Sequence, residues 1–366
     1  MRIGVNALYL IPGAVGGSEI YLRGLLQAMA SVDRANEYVV FTNRETGGGL
    51  PGFPASIQPV RASFRPGRIL WEQTGLVAAL VREKIDVLLN GGFTAPLVPP
   101  CPMVTVFFDL QHKRHPEYFR WFDLPFWRFL LWAAAHRSQR VIAISEETRR
   151  DLLRIYRLAG DKVACVPAGV DPRFFELGET GGGGYVLCAS TLHPHKNLER
   201  LIRVFGRIRK TGVTKRLVLT GVKGFHTEAV EAAIRREGLQ NAVEVKGWVD
   251  REALYHLFRR ADAFVYPSTF EGFGMPVTEA MAAGLPVACS AIEPLRSIAG
   301  DAVLPFDPAS DEELFTALER LLTDEPLRRR LIQAGPPRAS EFSWEASARR
   351  VISILEETAH RSRSSS

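Results

Sequence analysis

Two glutamates lie on either side of a glycine-rich turn in the second half of the chain. The stretch STFEGFGMPVTEA, from Ser268 to Ala280, contains Glu271 and Glu279 with Gly-Phe-Gly-Met-Pro between them. The run AFVYPS before the turn is typical of a strand, and the run VTEAMAAG after it is typical of a helix. A strand, a turn and a helix in this order can bind phosphate, because the first turn of a helix has unpaired N–H groups and the positive end of the helix dipole.

The residues of the turn suit close contact with a ligand. Gly272 and Gly274 let the backbone approach a bound group. Pro276 suits the first helical position, where its missing N–H costs nothing. We therefore expect the backbone N–H groups near Gly274 and Met275 to hold phosphate or sugar oxygens.

The two carboxylates need partners other than phosphate, which they would repel. An ionised carboxylate only accepts hydrogen bonds, so it suits hydroxyl donors. Glu279 lies one turn into the helix, within reach of a ribose, and Glu271 faces the group beyond the phosphates. A nucleotide sugar has this layout. The structural alternative is that Glu271 caps the turn and that Glu279 is a solvated helix residue.

Lys196 is placed to meet the same ligand. It follows the strand run YVLCAS and precedes a helix that begins near Asn197, so its ammonium group is expected where a phosphate would bind. The alternative is an ordinary surface lysine. Gly16 and Gly17 form a second strand–helix turn, and by themselves they predict no more than a dinucleotide loop.

The elements that must position these residues are strands that alternate with helices. Continuous apolar strands of this kind indicate parallel sheets covered on both faces. The predicted strands are RIGVNALYL, EYVVFT, IQPVRA, DVLLN, MVTVFF, RVIAIS, KVACVP, YVLCAS, RLVLTG, AVEVKG, AFVYPS and LPVACS. The predicted helices include 18–30, 146–156, 197–210, 226–238, 250–259, 276–283 and 293–299.

A change of composition near Val166–Gly184 indicates a linker, since PAGVDPRFF is turn-like and ELGETGGGG is rich in glycine. The simplest architecture is two doubly wound α/β domains, with ligands at the carboxyl ends of the strands and in the cleft between the domains. We expect the last helical stretch, Phe342–Thr358, to cross back and pack on the first domain.

Composition narrows the class of protein. A chain of 366 residues, 46% hydrophobic and 23% charged, is typical of a soluble protein with two domains. The net charge of +6 is small and no nucleic-acid motif is found, so no nucleic-acid partner is expected. No Cys-x-x-Cys occurs, which favours neither zinc nor disulfides and fits a reducing compartment. The N-terminus reads as a first strand and not as a signal peptide, and no apolar run spans a membrane, so a cytoplasmic location is expected.

The sequence resembles a known family over nearly its whole length. EGFGMPVTE matches the Glu-x7-Glu motif of the retaining GT-B glycosyltransferases of family 4. Val15–Leu26 looks like the first glycine loop and helix of that family, and Ser190–Leu198 looks like its phosphate-binding loop. Similar segments follow in the same order: VIAISEET, VPAGVD, VKGWVDREAL and EAMAAGLPVACS.

The resemblance implies a GT-B fold, with two Rossmann-like domains that face a cleft. Residues 1–170 with a crossover helix at 343–360 would bind the acceptor, and residues 171–342 would bind a nucleoside-diphosphate sugar. The activity implied is transfer of a hexose, with the anomeric configuration kept, to a glycan or lipid-linked acceptor in cell-surface polysaccharide synthesis. The stretch FVYPSTFEGFGMPVTEAMAAGLPV looks most like bacterial mannosyltransferases, which favours GDP-mannose over UDP-sugars.

The resemblance also implies roles for single residues. Glu279 would hold the ribose hydroxyls, Glu271 would contact the donor sugar and stabilise the transition state, and Lys196 would neutralise the diphosphate. Asp109 would be the third catalytic residue. The other donor-binding positions implied are Gly16, Gly17, Thr191, Phe273, Gly274 and Met275.

Two positions depart from the family pattern. Phe108 stands where many relatives have the histidine of a His-Asp pair, so the hydrogen bond of that histidine to the donor sugar cannot form. Asp109 or His112 could compensate, although Asp109 could equally be a turn or N-cap residue. His193 and His195 stand where Glu and Arg are common, which places more of the phosphate binding on Lys196.

No metal or cofactor is expected. The chain contains no Asp-x-Asp, and the family resemblance also argues against a metal-chelated diphosphate. His112 and His115 are three residues apart, but no third ligand is apparent. The partners expected are the nucleotide sugar and the acceptor.

The segment Pro116–Arg140 is rich in aromatic and basic residues. From about Leu124 it has helical periodicity, with Phe126, Phe129, Leu130 and Ala133 on or near one stripe and Trp127 and Leu131 close by. The simpler interpretation is a helix that faces the core. The alternative is an interfacial patch that reaches a lipid-linked acceptor at the inner face of the membrane.

Two other functions remain open from the sequence. A non-catalytic subunit that binds nucleotide sugars would fit the missing histidine at Phe108. An NAD(P)-dependent oxidoreductase would fit two parallel α/β domains, but the first loop lacks Gly-x-Gly-x-x-Gly and no acidic residue is clearly placed for an adenosine ribose.

Overall fold

A computed structural model describes residues 1–13, 16–48, 50, 52–224 and 226–364 of the chain. The chain divides into two compact units. Unit 1 is Met1–Gly169 with the residues from Ser343 onward, and unit 2 is Val170–Phe342.

Unit 1 is built on a parallel sheet. In the described residues its strands are paired in the order β3-β2-β1-β4-β5-β6-β7. The strands are β1 Arg2–Asn6, β2 Glu37–Thr42, β3 Ala55–Ile57, β4 Val87–Asn90, β5 Met103–Phe107, β6 Arg140–Ala143 and β7 Val163–Cys165. The helices are α1 Gly17–Val32, α2 Arg65–Gln73, α3 Gly75–Arg82, α4 Gln111–Arg114, α5 Leu124–Arg137 and α6 Glu146–Ile155.

Unit 2 has a second parallel sheet, in the order β10-β9-β8-β11-β12-β13 over its described residues. Its strands are β8 Tyr185–Ala189, β9 Arg216–Thr220, β10 Val243–Gly247, β11 Ala263–Tyr266, β12 Val287–Ser290 and β13 Leu304–Phe306. Its helices are α7 Leu198–Lys210, α8 Thr227–Arg236, α9 Arg251–Arg260, α10 Met275–Ala282, α11 Leu295–Ala299, α12 Asp311–Thr323 and α13 Glu325–Ala339. Two apolar clusters pack in this unit, as expected for a sheet with helices on both faces.

The last helix, α14 Trp344–Ser364, belongs to unit 1. It packs along α1, where the Trp344 ring meets the Tyr21 ring with centroids 5.6 Å apart. Gly24 makes room for that ring, because a Cβ at Gly24 would lie 2.5 Å from it. The expectation that a C-terminal helix packs on the first domain is confirmed, and the helix runs four residues beyond the predicted end at 360.

The predicted fold class is confirmed, and the differences are local. The strand predicted over IQPVRA is wrong beyond Ile57, because β3 covers only Ala55–Ile57. Strand β13 and helices α12 and α13 were not predicted. Helix α13 contains Pro336 and Pro337, which are unfavourable inside an isolated helix, so local pattern alone argues against it.

Helix α5 corrects the stripe predicted from the sequence. Leu130 and Ala133 are buried, but Phe126 and Phe129 are 52% and 53% exposed. The face that packs on the unit 1 core consists instead of Leu130, Leu131, Ala134 and Ala135, with Trp127 beside them. Among the described residues no helix has both the length and the apolar character that crossing a membrane requires.

Candidate functional site

The two loops with the predicted donor-site residues of unit 2 meet at one edge of its sheet. Strands β8 and β11 are neighbours and parallel, so the loops that follow Ala189 and Tyr266 emerge side by side. The carbonyl of His195 joins them, because it accepts hydrogen bonds from the Thr269 backbone N–H at 2.7 Å and from the Ser268 hydroxyl at 3.1 Å. Lys196 and Glu271 are thereby brought together although 75 residues separate them.

Lys196 and Glu271 form a buried ion pair. The Lys196 Nζ lies 2.6 Å from the Glu271 Oε1, and the two side chains are only 11% and 10% exposed. The same Nζ donates to the Tyr266 hydroxyl at 3.0 Å. Lys196 is therefore not an ordinary surface lysine. The Glu271 carboxylate accepts hydrogen bonds from Lys196 and from the Tyr266 hydroxyl. None of the described hydrogen bonds has Glu271 capping the turn.

The turn between the glutamates requires glycine at one position. Gly274 is the residue before α10, with φ of 108° in the left-handed region, and a Cβ there would lie 2.3 Å from Leu295 Cδ2. Pro276 is the second residue of α10, one position after the first helical position that was predicted for it. Phe273 is buried edge-on against Phe342, so its side chain belongs to the core and only its backbone is placed to meet a ligand.

Glu279 lies inside unit 2 and is not a solvated helix residue. It is 7% exposed, and burial raises the pKa of its carboxyl to about 7, although nearby Arg251 lowers it. The Arg251 Nη1 lies 3.5 Å from the Glu279 Oε1, while its Nη2 lies 2.5 Å from the Asp171 Oδ2. Tyr255 also donates to Asp171. Arg251 thus links Glu279 to Asp171, which is the second residue of unit 2.

Thr191 lies in the loop after β8, and its carbonyl accepts from the His193 N–H at 2.9 Å. The rings of His193 and His195 stack with centroids 5.8 Å apart. Burial lowers the pKa of His193, and the charge of Lys196 lowers it further. His193 is therefore neutral at pH 7, which is consistent with Lys196 being the main cation of this loop.

The glycine turn of unit 1 opens α1. Gly16 has φ of 69°, and its carbonyl accepts the backbone N–H groups of Glu19 and Ile20. Gly17 is the first residue of α1. Val15, the first residue of the segment that resembles the family's glycine loop, lies outside the described residues.

Phe108 and Asp109 follow β5 at the carboxyl edge of the unit 1 sheet. Phe108 is buried, with the rings of Tyr21 and Phe93 each 5.3 Å from it and edge-on. The Asp109 Oδ1 accepts the backbone N–H of Gln111 at 2.8 Å, which is the turn-forming role that the sequence left open.

His112 does not replace the missing histidine. It is 3% exposed, and its Nε2 lies 2.7 Å from the Tyr156 hydroxyl. Burial lowers the pKa of His112 to about 4, with Lys113 and Arg128 adding to the effect, so the ring stays neutral in the interior of unit 1.

The chain matches two families whose profiles cover both units. Residues 171–338 match the family described as Glycosyl transferases group 1, and residues 15–174 match the family described as Glycosyltransferase Family 4. The chain belongs to the group 1 glycosyltransferases.

Individual proteins similar to this glycosyltransferase support the same family and fold. The O-antigen chain mannosyltransferase B of Escherichia coli is 28% identical over 255 residues, which are 66% of this chain and 67% of that protein. Sucrose-phosphate synthase from Thermosynechococcus elongatus superposes with a TM-score of 0.80 at 18% identity and covers 98% of both chains. The Anabaena protein HepE, in complex with UDP and glucose, superposes with a TM-score of 0.77 at 20% identity over 97% of this chain and 99% of that one. At these identities the two structures show the fold, which is GT-B.

The glycosyltransferase has site residues that sequence reasoning missed. Tyr266 is 2% exposed, and burial together with the charge of Glu271 holds the pKa of its hydroxyl well above the usual range, so it stays neutral beside Lys196. Its signal in the sequence is its place as the last residue of the strand before the turn. Asp171 and Arg251 lie in two segments that resemble the family, VPAGVD and VKGWVDREAL, but nothing local indicates that they meet.

A polar cluster in unit 1 was also missed. Glu72 is 1% exposed, and its Oε1 accepts hydrogen bonds from Asn6 at 2.6 Å and from Thr94 at 3.1 Å. Its Oε2 is buried without a hydrogen-bond partner in the described part of the chain. Burial raises the pKa of the Glu72 carboxyl. Asn6 and Asn90 are the last residues of two neighbouring strands. Two asparagines at these positions could have indicated polar side chains at the carboxyl edge of the unit 1 sheet.

Metal ligands are not grouped in the described structure. No cluster of three or more His, Cys, Asp or Glu side chains in those residues could hold a metal ion. His115 pairs with Glu117 at 2.9 Å, and His112 faces Tyr156.

Proposed function

We propose that this group 1 glycosyltransferase moves a hexose, with mannose favoured, from a nucleoside-diphosphate sugar to a glycan or lipid-linked acceptor. In this proposal the transfer keeps the anomeric configuration and needs no metal. The observation that carries it is the buried Lys196–Glu271 pair beside the glycine turn of unit 2. A cation for phosphate and a carboxylate for hydroxyls occupy one loop edge, as a sugar diphosphate requires.

Binding of the donor would exchange partners within this pair. A diphosphate near the first turn of α10 would accept the hydrogen bond that Lys196 now gives to Glu271. Glu271 would then be released to accept a hydroxyl of the donor sugar. Because every buried charge keeps a partner, the exchange avoids the cost of an unpaired buried ion, about 3–5 kcal/mol.

The remaining residues complete the donor site. Glu279 accepts the ribose hydroxyls, and the backbone around Thr191 and Phe273–Met275 lies along the diphosphate. As the bond to the sugar breaks, negative charge grows on the diphosphate, and Lys196 stabilises it. The carboxylate of Glu271 stabilises the positive charge that develops on the sugar.

Mannose is favoured by the name of the E. coli relative, an O-antigen chain mannosyltransferase. GDP-mannose is the donor that we propose. UDP-glucose is the first competitor, because the fold neighbour HepE was crystallised with UDP and glucose. The name of the same relative supports an acceptor in cell-surface polysaccharide synthesis. That unit 1 binds this acceptor, and that the protein lies in the cytoplasm at the inner face of the membrane, are further parts of the proposal. Gly16 and Gly17 of unit 1 are proposed to contribute to donor binding, and Asp109 of unit 1 to catalysis.

Donor hydrolysis tests this function without knowledge of the acceptor. The purified protein is incubated with GDP-mannose, UDP-glucose, UDP-galactose or ADP-glucose, and released nucleoside diphosphate is measured with and without EDTA. We expect release from GDP-mannose above the other donors, unchanged by EDTA. Thermal shift with the same nucleotides and with NAD runs in parallel.

Each other outcome selects a different function. Stabilisation by a sugar nucleotide without release of nucleotide would indicate the non-catalytic subunit, for which Phe108 is the motivating residue. Stabilisation by NAD alone would indicate the oxidoreductase. Once an acceptor is found, proton NMR of the first-formed product measures the anomeric configuration, and inversion would contradict the retaining mechanism.

A further inference from the structure

Five aromatic side chains stand exposed on one stretch of unit 1, and we call them the aromatic face. Trp121 is 83% exposed, and the other four are 46% to 56% exposed. The aromatic face comprises Trp121, Phe122, Phe126, Phe129 and Trp132. We propose that the aromatic face docks unit 1 onto the surface of a bilayer that contains anionic lipids.

The periodicity of α5 explains why three of the five rings, those of Phe126, Phe129 and Trp132, point outward. Leu130, Leu131 and Ala134 pack into the core of unit 1, so they define the inner side of the helix. Phe126, Phe129 and Trp132 are three residues apart and fall on the other side. The outer side of a surface helix is normally polar, so an aromatic outer side indicates contact with something other than water.

The clustering is not the ordinary scatter of apolar residues on a surface. Of the thirteen large hydrophobic side chains exposed in the described structure, eleven belong to unit 1 and two, Phe175 and Trp248, belong to unit 2. Five of the eleven fall within residues 121–132. Scattered single residues need no explanation, but a group of this kind marks an interaction surface.

The charge around the aromatic face selects an anionic partner. Residues 113–140 contain six basic and two acidic side chains. Two of the basic ones are already ion-paired, Arg114 with Glu147 and Asp151 and Arg140 with Glu357, which leaves Lys113, Arg120, Arg128 and Arg137. The exposed Arg120 has its guanidinium 6.0 Å from the centre of the Phe122 ring, and Arg65 of α2 lies 6.0 Å from the Trp127 ring of α5. Arginine stems can lie along apolar surface while their charged heads reach lipid phosphates.

A bilayer surface fits better than a membrane span or a second copy of the chain. Helix α5 has 14 residues, which is about 21 Å of helix and short of the roughly 30 Å hydrocarbon core. A symmetric dimer through this face would place its arginines against one another. A helix that lies in the interface between bilayer and water does not need the length of a membrane span, and it does not need an acidic protein surface as its partner. It needs an apolar face that enters the acyl boundary and anionic headgroups beside it.

This inference extends the proposed function by giving a reason why a lipid-linked acceptor could be reached. The two can fail separately. Vesicle binding is measured without nucleotide sugar, and donor hydrolysis is measured without vesicles.

Co-sedimentation with vesicles tests the aromatic face. Vesicles of phosphatidylcholine, with and without phosphatidylglycerol, are mixed with wild-type protein and with the triple variant Phe126→Ser, Phe129→Ser, Trp132→Ser. We expect the wild type to sediment with the anionic vesicles. The triple variant should bind the same vesicles with an affinity lower by about tenfold or more. Trp127 is left intact, because it packs beside the core and its loss would confuse folding with binding.

The matched control removes three exposed apolar side chains elsewhere in unit 1. Ile57, Val81 and Val98 are 55%, 61% and 77% exposed, and their triple replacement by Ser should leave sedimentation unchanged. A second variant, Arg120→Gln with Arg137→Gln, keeps the aromatic rings. It should weaken binding to anionic vesicles and reduce the dependence on salt, and it carries the test if the aromatic triple variant does not fold.

Three results would overturn the proposal. The first is equal sedimentation of the wild type and both face variants. The second is equal binding of the wild type to neutral and anionic vesicles. The third is self-association of the wild type in analytical ultracentrifugation, lost in the aromatic variant and unaccompanied by vesicle binding, which would make the face a subunit interface.

Discussion

Lys196 and Glu271 satisfy each other's charge. The short Nζ–Oε1 distance of 2.6 Å and the burial of both side chains mean that neither charge is solvated. A ligand that separates them must supply a negative group to one and a hydroxyl to the other. We therefore propose that this pair acts on the departing sugar and diphosphate more than on the nucleoside.

Truncation of this pair should separate turnover from affinity. We expect Glu271→Ala and Lys196→Ala to lower kcat by about 10²–10³-fold, since they remove stabilisation of charges that develop in the transition state. Nucleotide affinity, measured by calorimetry, should change far less. Glu279→Ala should show the reverse and mainly weaken nucleotide binding.

A surface carboxylate provides the control for these substitutions. Glu228 is exposed at the start of α8, and Glu228→Ala should keep wild-type kinetics. Near-normal turnover of the Glu271→Ala variant would remove the role proposed for Glu271.

Glu279 predicts a pH dependence. Its folded pKa is raised by burial to about 7 from an unfolded value of 4.5, so its contribution to stability is fully present below pH 4.5 and is lost as the pH rises through 7. Ribose hydroxyls need the ionised carboxylate. The ionisation of Glu279 should therefore raise the affinity for GDP severalfold between pH 6 and pH 8. A single titrating group can change the affinity by at most about tenfold per pH unit.

Calorimetry at both pH values, with Glu279→Gln in parallel, isolates the effect. The phosphates of GDP also titrate, but they do so with both proteins. The wild type should gain more affinity than the variant as the pH rises. Identical pH profiles would show that Glu279 does not meet the nucleotide as a carboxylate.

At the scale of elements, the proposed donor site depends on how the turn before α10 is packed. Gly274 combines a left-handed backbone with a Leu295 contact that leaves no room for a side chain. This turn fixes the orientation of the backbone N–H groups at the start of α10. Its glycine is therefore required by local conformation and by long-range packing at the same time.

Gly274→Ala should cost unit 2 about 2–4 kcal/mol of unfolding free energy, since the strained φ and the overpacking against Leu295 add. Gly284→Ala is the matched control. Its φ of 68° is also left-handed, but no atom lies within 4 Å of the new Cβ, so only the backbone strain of about 1–2 kcal/mol remains. Urea unfolding measures both, and equal costs would contradict the packing argument.

For the whole molecule, the distant end of the chain completes unit 1. Helix α14 buries Val351, Ile354 and Leu355 fully, and Trp344 closes against α1. Ser347 also donates to the Pro167 carbonyl at 2.7 Å. The core of unit 1 is therefore complete only when α14 is packed on it.

Leu355→Ala should lower the free energy of unfolding of unit 1 by about 2–5 kcal/mol, because it leaves a cavity in a closed interface. Tryptophan fluorescence can follow it, since five of the six tryptophans lie in unit 1. The exposed Arg349 on the same helix is the control, and Arg349→Ala should stay within about 0.5 kcal/mol of wild type. Unit 1 equally stable after removal of the residues beyond 340 would contradict this account.

The sequence by itself determined the features that depend on neighbours along the chain. Alternating apolar runs and helix periods predicted two parallel α/β sheets, because burial on both faces requires continuous apolar strands. The glycines, the proline and the glutamates around α10 predicted a turn for a nucleotide sugar, because backbone conformation and helix ends follow from local residue types. The family resemblance assigned Lys196 and Glu271 to one predicted site, and the structure brings these two side chains together. Their roles in donor binding stay predictions.

Only the tertiary structure decided which distant groups share a charge or a surface. It paired Lys196 with Glu271 and placed Arg251 and Asp171 beside Glu279, and these contacts depend on strand order and not on spacing. It put Phe126 and Phe129 in solvent although their period fits a core stripe, because a helical stripe predicts one buried face without saying which of two adjoining apolar faces is covered. Burial and partnership are properties of the packed chain, so residue type alone leaves them undetermined.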